Sequence, residues 1–234
     1  MFKGRLFKAV KNLDREETAF CLAQEPELLH AVDQNGRNLL QIVLSVETVN
    51  SDHRTVRQID LIDYSSAQGL DLHFVDRTKA VCDQVNLVWY AVARSRNPVV
   101  VKHLLDRGVK PDGLYAAGWL EDTVLIELLG SYHIDVDPVI FNETPLLHCL
   151  KNHKYQSLKP LIDIGSDVNF QDHKGKTVLH HGMDRKVPMA VFKMLLQSGA
   201  DPDIEDAIGR SPRQVAVEKR DKTWIELIKG EKPA

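Results

Sequence analysis

Histidine and cysteine side chains have the greatest capacity for metal binding and catalysis in this sequence, because they ligate metals and act as bases or nucleophiles. The chain has ten histidines and three cysteines among its 234 residues. Two short clusters concentrate them: His148, Cys149 and His153, and His180, His181 and Asp184. Each cluster raises the question of a metal site or an activated nucleophile.

The spacing of these residues argues against both kinds of site. A zinc site needs several ligands that converge tetrahedrally, and the sequence has no His-x-x-x-His and no paired cysteine motif. His148 and Cys149 are neighbours on a predicted helix, where successive side chains point about 100° apart, so they cannot readily exchange a proton. Glycines occur singly and form no phosphate-binding loop. We therefore predict no catalytic residue, no metal ligand and no cofactor.

Composition indicates a soluble globular chain without a nucleic-acid partner. The formal net charge is −3 and the isoelectric point is near 6.4, which argues against a general phosphate-binding surface. No stretch approaches the length of a membrane span, and the charged first residues are not followed by the apolar core of a signal peptide. Three distant cysteines predict reduced thiols. We expect a cytoplasmic protein, monomeric when free, with no membrane partner, although removal of an export signal would leave the same sequence.

A repeated pattern organises the chain around residues 172–206. Residues 172–180 read DHKGKTVLH, residues 195–201 read LLQSGAD, and residues 206–212 begin the pattern again with DAIGRSP. A related opening, TPLLH, occurs at residues 144–148. The period between successive copies is about 33 residues.

Each copy has signals for two helices. Thr177 and Ser211 suit the N-cap of a first helix, and a proline such as Pro212 suits its first turn. Gly199 can end the second helix in a left-handed conformation. The predicted buried stripe of that second helix comprises Val187, Met189, Val191, Met194 and Leu195. One such helix pair cannot bury both of its faces, so each copy depends on stacking against its neighbours.

The pattern resembles the ankyrin repeat. The resemblance implies an all-α repeat fold, an ankyrin-type solenoid of about six to seven stacked helix-turn-helix units with short β-hairpin or loop fingers. The predicted segments are a degenerate N-terminal capping repeat, an irregular repeat with insertions, an ankyrin-like repeat, a shortened repeat, two regular repeats and a C-terminal capping repeat. In that order they cover residues 1–32, 33–85, 86–113, 114–138, 139–171, 172–205 and 206–234.

Ankyrin proteins usually hold partners on a concave face, and the resemblance carries that role to matching positions here. The finger positions are Gln34, Asn35, Ile140, Phe141, His173, Lys174, Ala207 and Ile208. The positions near the ends of the first helices are Arg94, Trp119, Lys151, Asn152, Asp184 and Arg185. Trp119 has two predicted environments, because the shortened repeat either exposes its side chain to a partner or lets it fill the core.

The resemblance also assigns one structural role and one modification. It implies that His180 hydrogen-bonds the backbone of the adjoining finger. Asn169, in the segment DVN after Leu161, resembles the asparagine that is hydroxylated in ankyrin repeats of animal cells. The alternative is that the Asn169 side chain stabilises the chain reversal through hydrogen bonds to its own backbone.

Two functions of different class follow. The leading hypothesis is a non-enzymatic interaction module that binds a protein partner as an adaptor or as a stoichiometric inhibitor. The alternative is an enzyme or ligand-binding protein whose site lies in the irregular segments 49–85 and 109–137. Predicted insertions near 49–55 and 74–85 belong to the first of these segments. The polar groups available to such a site are Asp52, His53, His73 and Asp76.

Overall fold

The computed structural model describes residues 2–76 and 85–229. Its helices form seven successive pairs within those ranges, and each of the seven predicted segments contains one pair. The exact boundaries between repeats remain predictions. Cys82 and most of the predicted insertion at 74–85 lie outside the described residues. Cys21 and Cys149 are buried free thiols.

The chain forms two compact units, residues 1–116 with 132–134 and residues 117–131 with 135–234. Unit 1 opens with two helices and a short 3-10 helix, and a two-residue antiparallel hairpin follows its fourth helix. Its elements are α1 (Phe2–Lys11), α2 (Arg15–Gln24), the 3-10 helix Pro26–His30, α3 (Leu39–Leu44), α4 (Asp52–Ala67), β1 (Val75–Asp76), β2 (Val85–Asn86), α5 (Leu87–Tyr90), the π-helix Ala91–Ser95 and α6 (Pro98–Asp106). α7 (Leu114–Leu120) crosses the boundary between the units.

Only residues 49–51 of the predicted insertion at 49–55 lie outside a helix. Ser51 caps α4 by accepting the backbone N–H of Arg54, so the helix begins at Asp52. The additional residues therefore lengthen α4 to 16 residues. Phe20 on α2 is 44% exposed and lies against the ring of Phe2 and the guanidinium of Arg5.

A buried polar network joins the helices of unit 1. The Gln58 side-chain amide on α4 donates to the carbonyl oxygens of Val43 at 2.8 Å and Val46 at 3.0 Å. Its carbonyl oxygen accepts the hydroxyls of Thr48 at 2.6 Å and Ser95 at 3.1 Å. Because each group is buried and paired, the network specifies how α3, α4 and the π-helix fit together.

Unit 2 consists of helix pairs, and a short connection joins the two helices of each pair. Its elements after α7 are α8 (Thr123–Gly130), α9 (Pro145–Lys151), the 3-10 helix Tyr155–Ser157, α10 (Leu158–Asp163), α11 (Val178–Asp184), α12 (Met189–Gln197), α13 (Pro212–Glu218) and α14 (Lys222–Lys229). The predicted N-cap is confirmed at Ser211, which accepts the backbone N–H of Gln214, and Thr144 caps α9 in the same way by accepting the backbone N–H of Leu147. These caps satisfy backbone donors that would otherwise lack partners.

The buried stripe of α12 differs from the prediction. Val187 and Leu195 are buried, but Met189, Val191 and Met194 are only partly buried. Phe192, which the predicted stripe omitted, is fully buried and packs edge-on against Trp224 with ring centroids 3.9 Å apart. The predicted stripe followed residues at the edge of the apolar face of α12, whereas the ring of Phe192 lies at the centre of that face.

The turn after the first helix of a pair repeatedly uses a non-glycine residue with positive φ. Residues with this conformation at that turn are Leu13, Arg96, Glu121, His153, Lys186 and Arg220, with φ between 51° and 60°. Residues other than glycine rarely adopt this left-handed conformation because of steric strain. These turns therefore carry strain that glycine would avoid.

Within the described ranges, no helix has the length and apolar character needed to cross a membrane.

Candidate functional site

Three fingers share one hydrogen-bonded design built on an aspartate. In the finger that begins at Asp172, the carboxylate accepts the backbone N–H groups of Lys174 at 2.8 Å and Lys176 at 3.0 Å. The fingers that begin at Asp33 and Asp206 have the same bonds at the same offsets. Each ends in a glycine with positive φ, which explains why the sequence pattern D-x-x-G is retained.

The finger at residues 139–143 is built differently. Ile140 and Glu143 exchange backbone hydrogen bonds of 3.0 and 3.1 Å around Phe141 and Asn142. Both central residues have positive φ, 53° and 62°, as in the tight turns that favour Asn-Gly. Phe141 is nevertheless 74% exposed. An aromatic residue thus stands at the tip of the turn in a backbone conformation that costs free energy.

Ion pairs join a residue at the base of each of two fingers to the end of the helix that follows that finger. Glu143 pairs with Lys151, and in the next repeat Lys176 pairs with Asp184 at 2.6 Å. Burial raises the pKa of Glu143, but hydrogen bonds from Lys151 and His148 outweigh it, so its pKa lies below the usual value. Lys151 and Asp184, two of the predicted binding residues, are therefore engaged within the chain.

Trp119 is 49% exposed, which decides between its two predicted environments. The residues before it face inward: Ala117 is buried, and a side chain on Gly118 would meet the sulfur of Cys149 at 2.6 Å. Successive helical side chains point in different directions, so the tryptophan faces away from this packing. Its ring lies 5.9 Å from the ring of His148, and the Lys154 ammonium lies 5.0 Å from its centroid.

The structure brings part of the predicted site together through these contacts. Trp119, His148, Glu143 and Lys151 form a continuous chain of neighbours in unit 2, and Phe141 is two residues from Glu143. The remaining predicted positions of unit 2 are exposed, apart from the half-buried Ile140: they are Asn152, His173, Lys174 and Arg185. Arg94 is exposed in unit 1, on the π-helix.

Sequence reasoning missed three members of this neighbourhood. Glu143, His148 and Lys154 organise the surroundings of Trp119, yet none was predicted as part of the site. His148 was considered only for catalysis. The offset of eight residues between Glu143 and Lys151, which recurs between Lys176 and Asp184, was an available signal.

The predicted structural role of His180 is confirmed, whereas the Asn169 side chain bonds the backbone of the next repeat and not, as predicted, its own backbone. His180 accepts the backbone N–H of Thr177 through Nδ1 at 3.1 Å, which leaves Nε2 to donate to the carbonyl oxygen of Arg210 at 2.9 Å. Asn169 donates to the carbonyl oxygen of Gly199 at 3.0 Å and accepts the N–H of Asp201 at 2.8 Å. Both side chains join one repeat to the next. Hydroxylation of Asn169 remains a prediction.

The polar groups of the alternative site are not assembled for chemistry. Asp52, His53 and His73 are exposed, whereas Asp76 is buried and accepts hydrogen bonds from Gln41 and Tyr90, each at 3.0 Å. Across residues 2–76 and 85–229, no group of three or more histidine, cysteine, aspartate or glutamate side chains is arranged to hold a metal ion.

Cys149 is also unsuited to act as a nucleophile. Burial raises the pKa of its thiol to about 12, so the thiolate is scarce at neutral pH. The neighbouring His148 directs its Nδ1 to Glu143 at 3.0 Å. These positions agree with the sequence argument that the two side chains do not form a catalytic pair.

Curated relatives share parts of this chain. The B-cell lymphoma 3 protein homolog of Mus musculus is 26% identical over 110 residues, covering 47% of this chain and 24% of the relative. The ADP-ribosylation factor GTPase-activating protein AGD2 of Arabidopsis thaliana is 28% identical over 225 residues, covering 85% of this chain and 28% of the relative. An ankyrin repeat protein of fowlpox virus, FPV233, is 35% identical over 74 residues, covering 31% of this chain and 14% of the relative. The chain thus spans about a quarter or less of their lengths. No protein-family model matches the sequence.

Solved structures are similar along nearly the whole chain. The ankyrin repeat domain of Bcl-3 has a TM-score of 0.76 at 20% identity, covering 97% of this chain and 98% of that domain. The human ASB11 ankyrin repeat domain has a TM-score of 0.70 at 16% identity, with 98% of each chain covered. These similarities confirm the predicted all-α ankyrin fold. With the recurring fingers and helix pairs, they show that the chain has the ankyrin-repeat fold.

Proposed function

We propose that this protein is a non-enzymatic interaction module that binds a protein partner through the finger face of unit 2. The finger face is defined by the finger residues and the exposed ends of the preceding and following first helices. Its members are Trp119, Ile140, Phe141, Lys151, Asn152, His173, Lys174, Asp184 and Arg185. Arg94 is the corresponding candidate in unit 1.

The observation that carries this proposal is the exposure of Phe141 in a left-handed turn. A solvent-exposed aromatic ring contributes little to folding, and here its backbone conformation adds strain. Strained, exposed residues of this kind concentrate at binding surfaces, and aromatic residues dominate interface energetics. Trp119 provides a second exposed aromatic side chain in the same unit. The rings of Phe141 and Trp119 can therefore anchor a partner, since the free protein does not need them in order to fold.

The binding energy is expected to be concentrated in these anchors and in the unpaired arginine. Arg185 is exposed, with no ion pair to another described residue. Lys151 and Asp184 already have partners, so a ligand must displace those partners to use them fully. We therefore assign Lys151 and Asp184 to positioning the face, and we assign Trp119, Phe141 and Arg185 to contact.

The test is quantitative affinity capture from a lysate of the source organism. Trp119→Ala is compared with wild type and with Val124→Ala, which removes an exposed apolar side chain from α8 outside the finger face. We expect a protein that is captured by wild type and Val124→Ala but lost with Trp119→Ala. Equal capture by all three would refute the assignment of the finger face.

An adaptor and a stoichiometric inhibitor differ in what binding does to the partner. The solved Bcl-3 domain is described as a unique member of the IkappaB protein family. That description belongs to Bcl-3, but it motivates an activity measurement on the captured partner. Titration with the purified chain is expected to abolish partner activity at one equivalent for an inhibitor. For an adaptor it leaves that activity unchanged while a third component is recruited.

A further inference from the structure

The finger tips of unit 2 form a row with an alternating chemical character. Phe141, Lys174 and Ile208 occupy corresponding places in three successive fingers. Phe141 is 74% exposed, Ile208 is 71% exposed, and Lys174 is also exposed. The second and third fingers are joined directly, because the N–H of Ala207 donates to the carbonyl oxygen of Lys174 at 2.9 Å. A partner that follows the row meets an apolar, a cationic and then an apolar side chain.

The carboxylates near this row are already occupied. Asp172 and Asp206 accept backbone N–H groups inside their own fingers, and Glu143 is held by Lys151 and His148. Lys174, by contrast, has no ion pair with any other residue in the described ranges. Glu205 differs, because it is exposed and its carboxylate lies beside Gly209, next to the tip residue Ile208 of the third finger. The tip of the second finger consequently presents the unpaired positive charge of Lys174, whereas the third tip has an exposed carboxylate beside it.

We propose that the row binds an extended segment of another protein in which one acidic residue lies between two apolar residues. This inference rests on the proposed function and specifies the chemistry of the partner. The carboxylate of the segment pairs with Lys174, and its apolar side chains contact Phe141 and Ile208. Charge complementarity selects the acidic residue, while the exposed apolar tips select its neighbours.

The spacing of the repeats sets the spacing of those residues. Packed helices lie about 8–10 Å apart, and an extended chain of the polyproline II type advances about 3.1 Å per residue with three residues per turn. Three residues of the segment therefore span one repeat and return to the same side. The recognised pattern is apolar-x-x-acidic-x-x-apolar, in which every third side chain faces the fingers.

The test uses a phage-displayed library of random twelve-residue peptides selected on the purified full chain. Affinities of enriched peptides are then measured by fluorescence polarisation for wild type, Lys174→Glu and Lys193→Glu. Lys193 is an exposed lysine on α12, so its substitution makes the same charge change outside the fingers. We expect enrichment of the stated pattern, and a loss of about tenfold or more for Lys174→Glu alone.

Three outcomes would overturn the inference: no enrichment, enrichment without the acidic residue, or equal losses for both lysine variants. Trp119→Ala separates this failure from failure of the proposed function. Peptides that lack the acidic residue yet lose binding to Trp119→Ala would overturn the inference and leave the finger face as the binding surface. Peptides that bind every finger-face variant as tightly as wild type would refute both.

Discussion

Replacing Phe141 by asparagine should stabilise the free protein while weakening partner binding. A non-glycine residue in the left-handed conformation is strained by about 1 kcal/mol, and asparagine tolerates that conformation. Full burial of a phenylalanine side chain stabilises by about 1.5–3 kcal/mol, so removing a ring that is 74% exposed costs about 0.5 kcal/mol. The difference predicts that Phe141→Asn raises the free energy of unfolding by about 0.5 kcal/mol.

Urea unfolding followed by circular dichroism measures this change, with Phe141→Ala as the matched control. Alanine removes the same ring but remains strained at φ 53°, so this variant should lose about 0.5 kcal/mol. The two variants should therefore differ by about 1 kcal/mol, and both should lose partner binding. Equal stabilities would refute the claim that the turn strains Phe141. Retained binding in both would refute its role as an anchor.

Four further substitutions examine the scaffolds of the two units. Gln58→Leu should cost about 3 kcal/mol in urea unfolding because it leaves several buried polar groups without partners; a cost below about 1 kcal/mol would mean that the network rearranges. Lys186→Gly should raise stability by about 0.5 kcal/mol, since relief of left-handed strain exceeds the added chain entropy of glycine, and a decrease would contradict that balance. Asn169→Ala should lower stability by about 1–2 kcal/mol through its two lost inter-repeat bonds, with no loss indicating that water replaces them. His181→Gln should reduce the loss of stability on acidification from neutral pH, whereas an unchanged pH profile would exclude His181 as its source.

The sign of the His181 effect follows from its environment. Burial lowers the pKa of His181 below its reference value of 6.5, although its hydrogen bond to Asp172 acts in the opposite direction. The unfolded chain therefore takes up a proton more readily than the folded chain. Stability is full above the unfolded pKa and declines as pH falls below 6.5 toward the folded pKa. Urea midpoints at neutral and mildly acidic pH measure that decline.

Local chemistry explains why the regular repeats were predicted well. The aspartate and glycine of a finger act within five consecutive residues, as at Asp172 and Lys176, and the N-cap of Ser211 acts on its own helix. His180 contacts the next finger, yet this contact could be predicted because His180 occupies a fixed position in the repeat. The polar residues of the predicted insertion at 49–55 suit either a loop or an exposed helical turn, so sequence alone does not place the start of α4. The cap of Ser51 selects the helix.

Sequence alone determined the repeat and its finger and helix signals, because these depend on residues close together in the chain, and the repeat in turn predicts which positions would face a partner. Tertiary structure decided which of those positions are free. The exposure of Trp119 depends on Gly118 packing against Cys149, and Lys151 is engaged because Glu143 points toward the same helix end. Phe141 is strained by the left-handed conformation of its turn, and the sequence of that turn has no glycine to indicate this conformation. Such properties arise from packing and dihedral angles, which a periodic pattern does not specify.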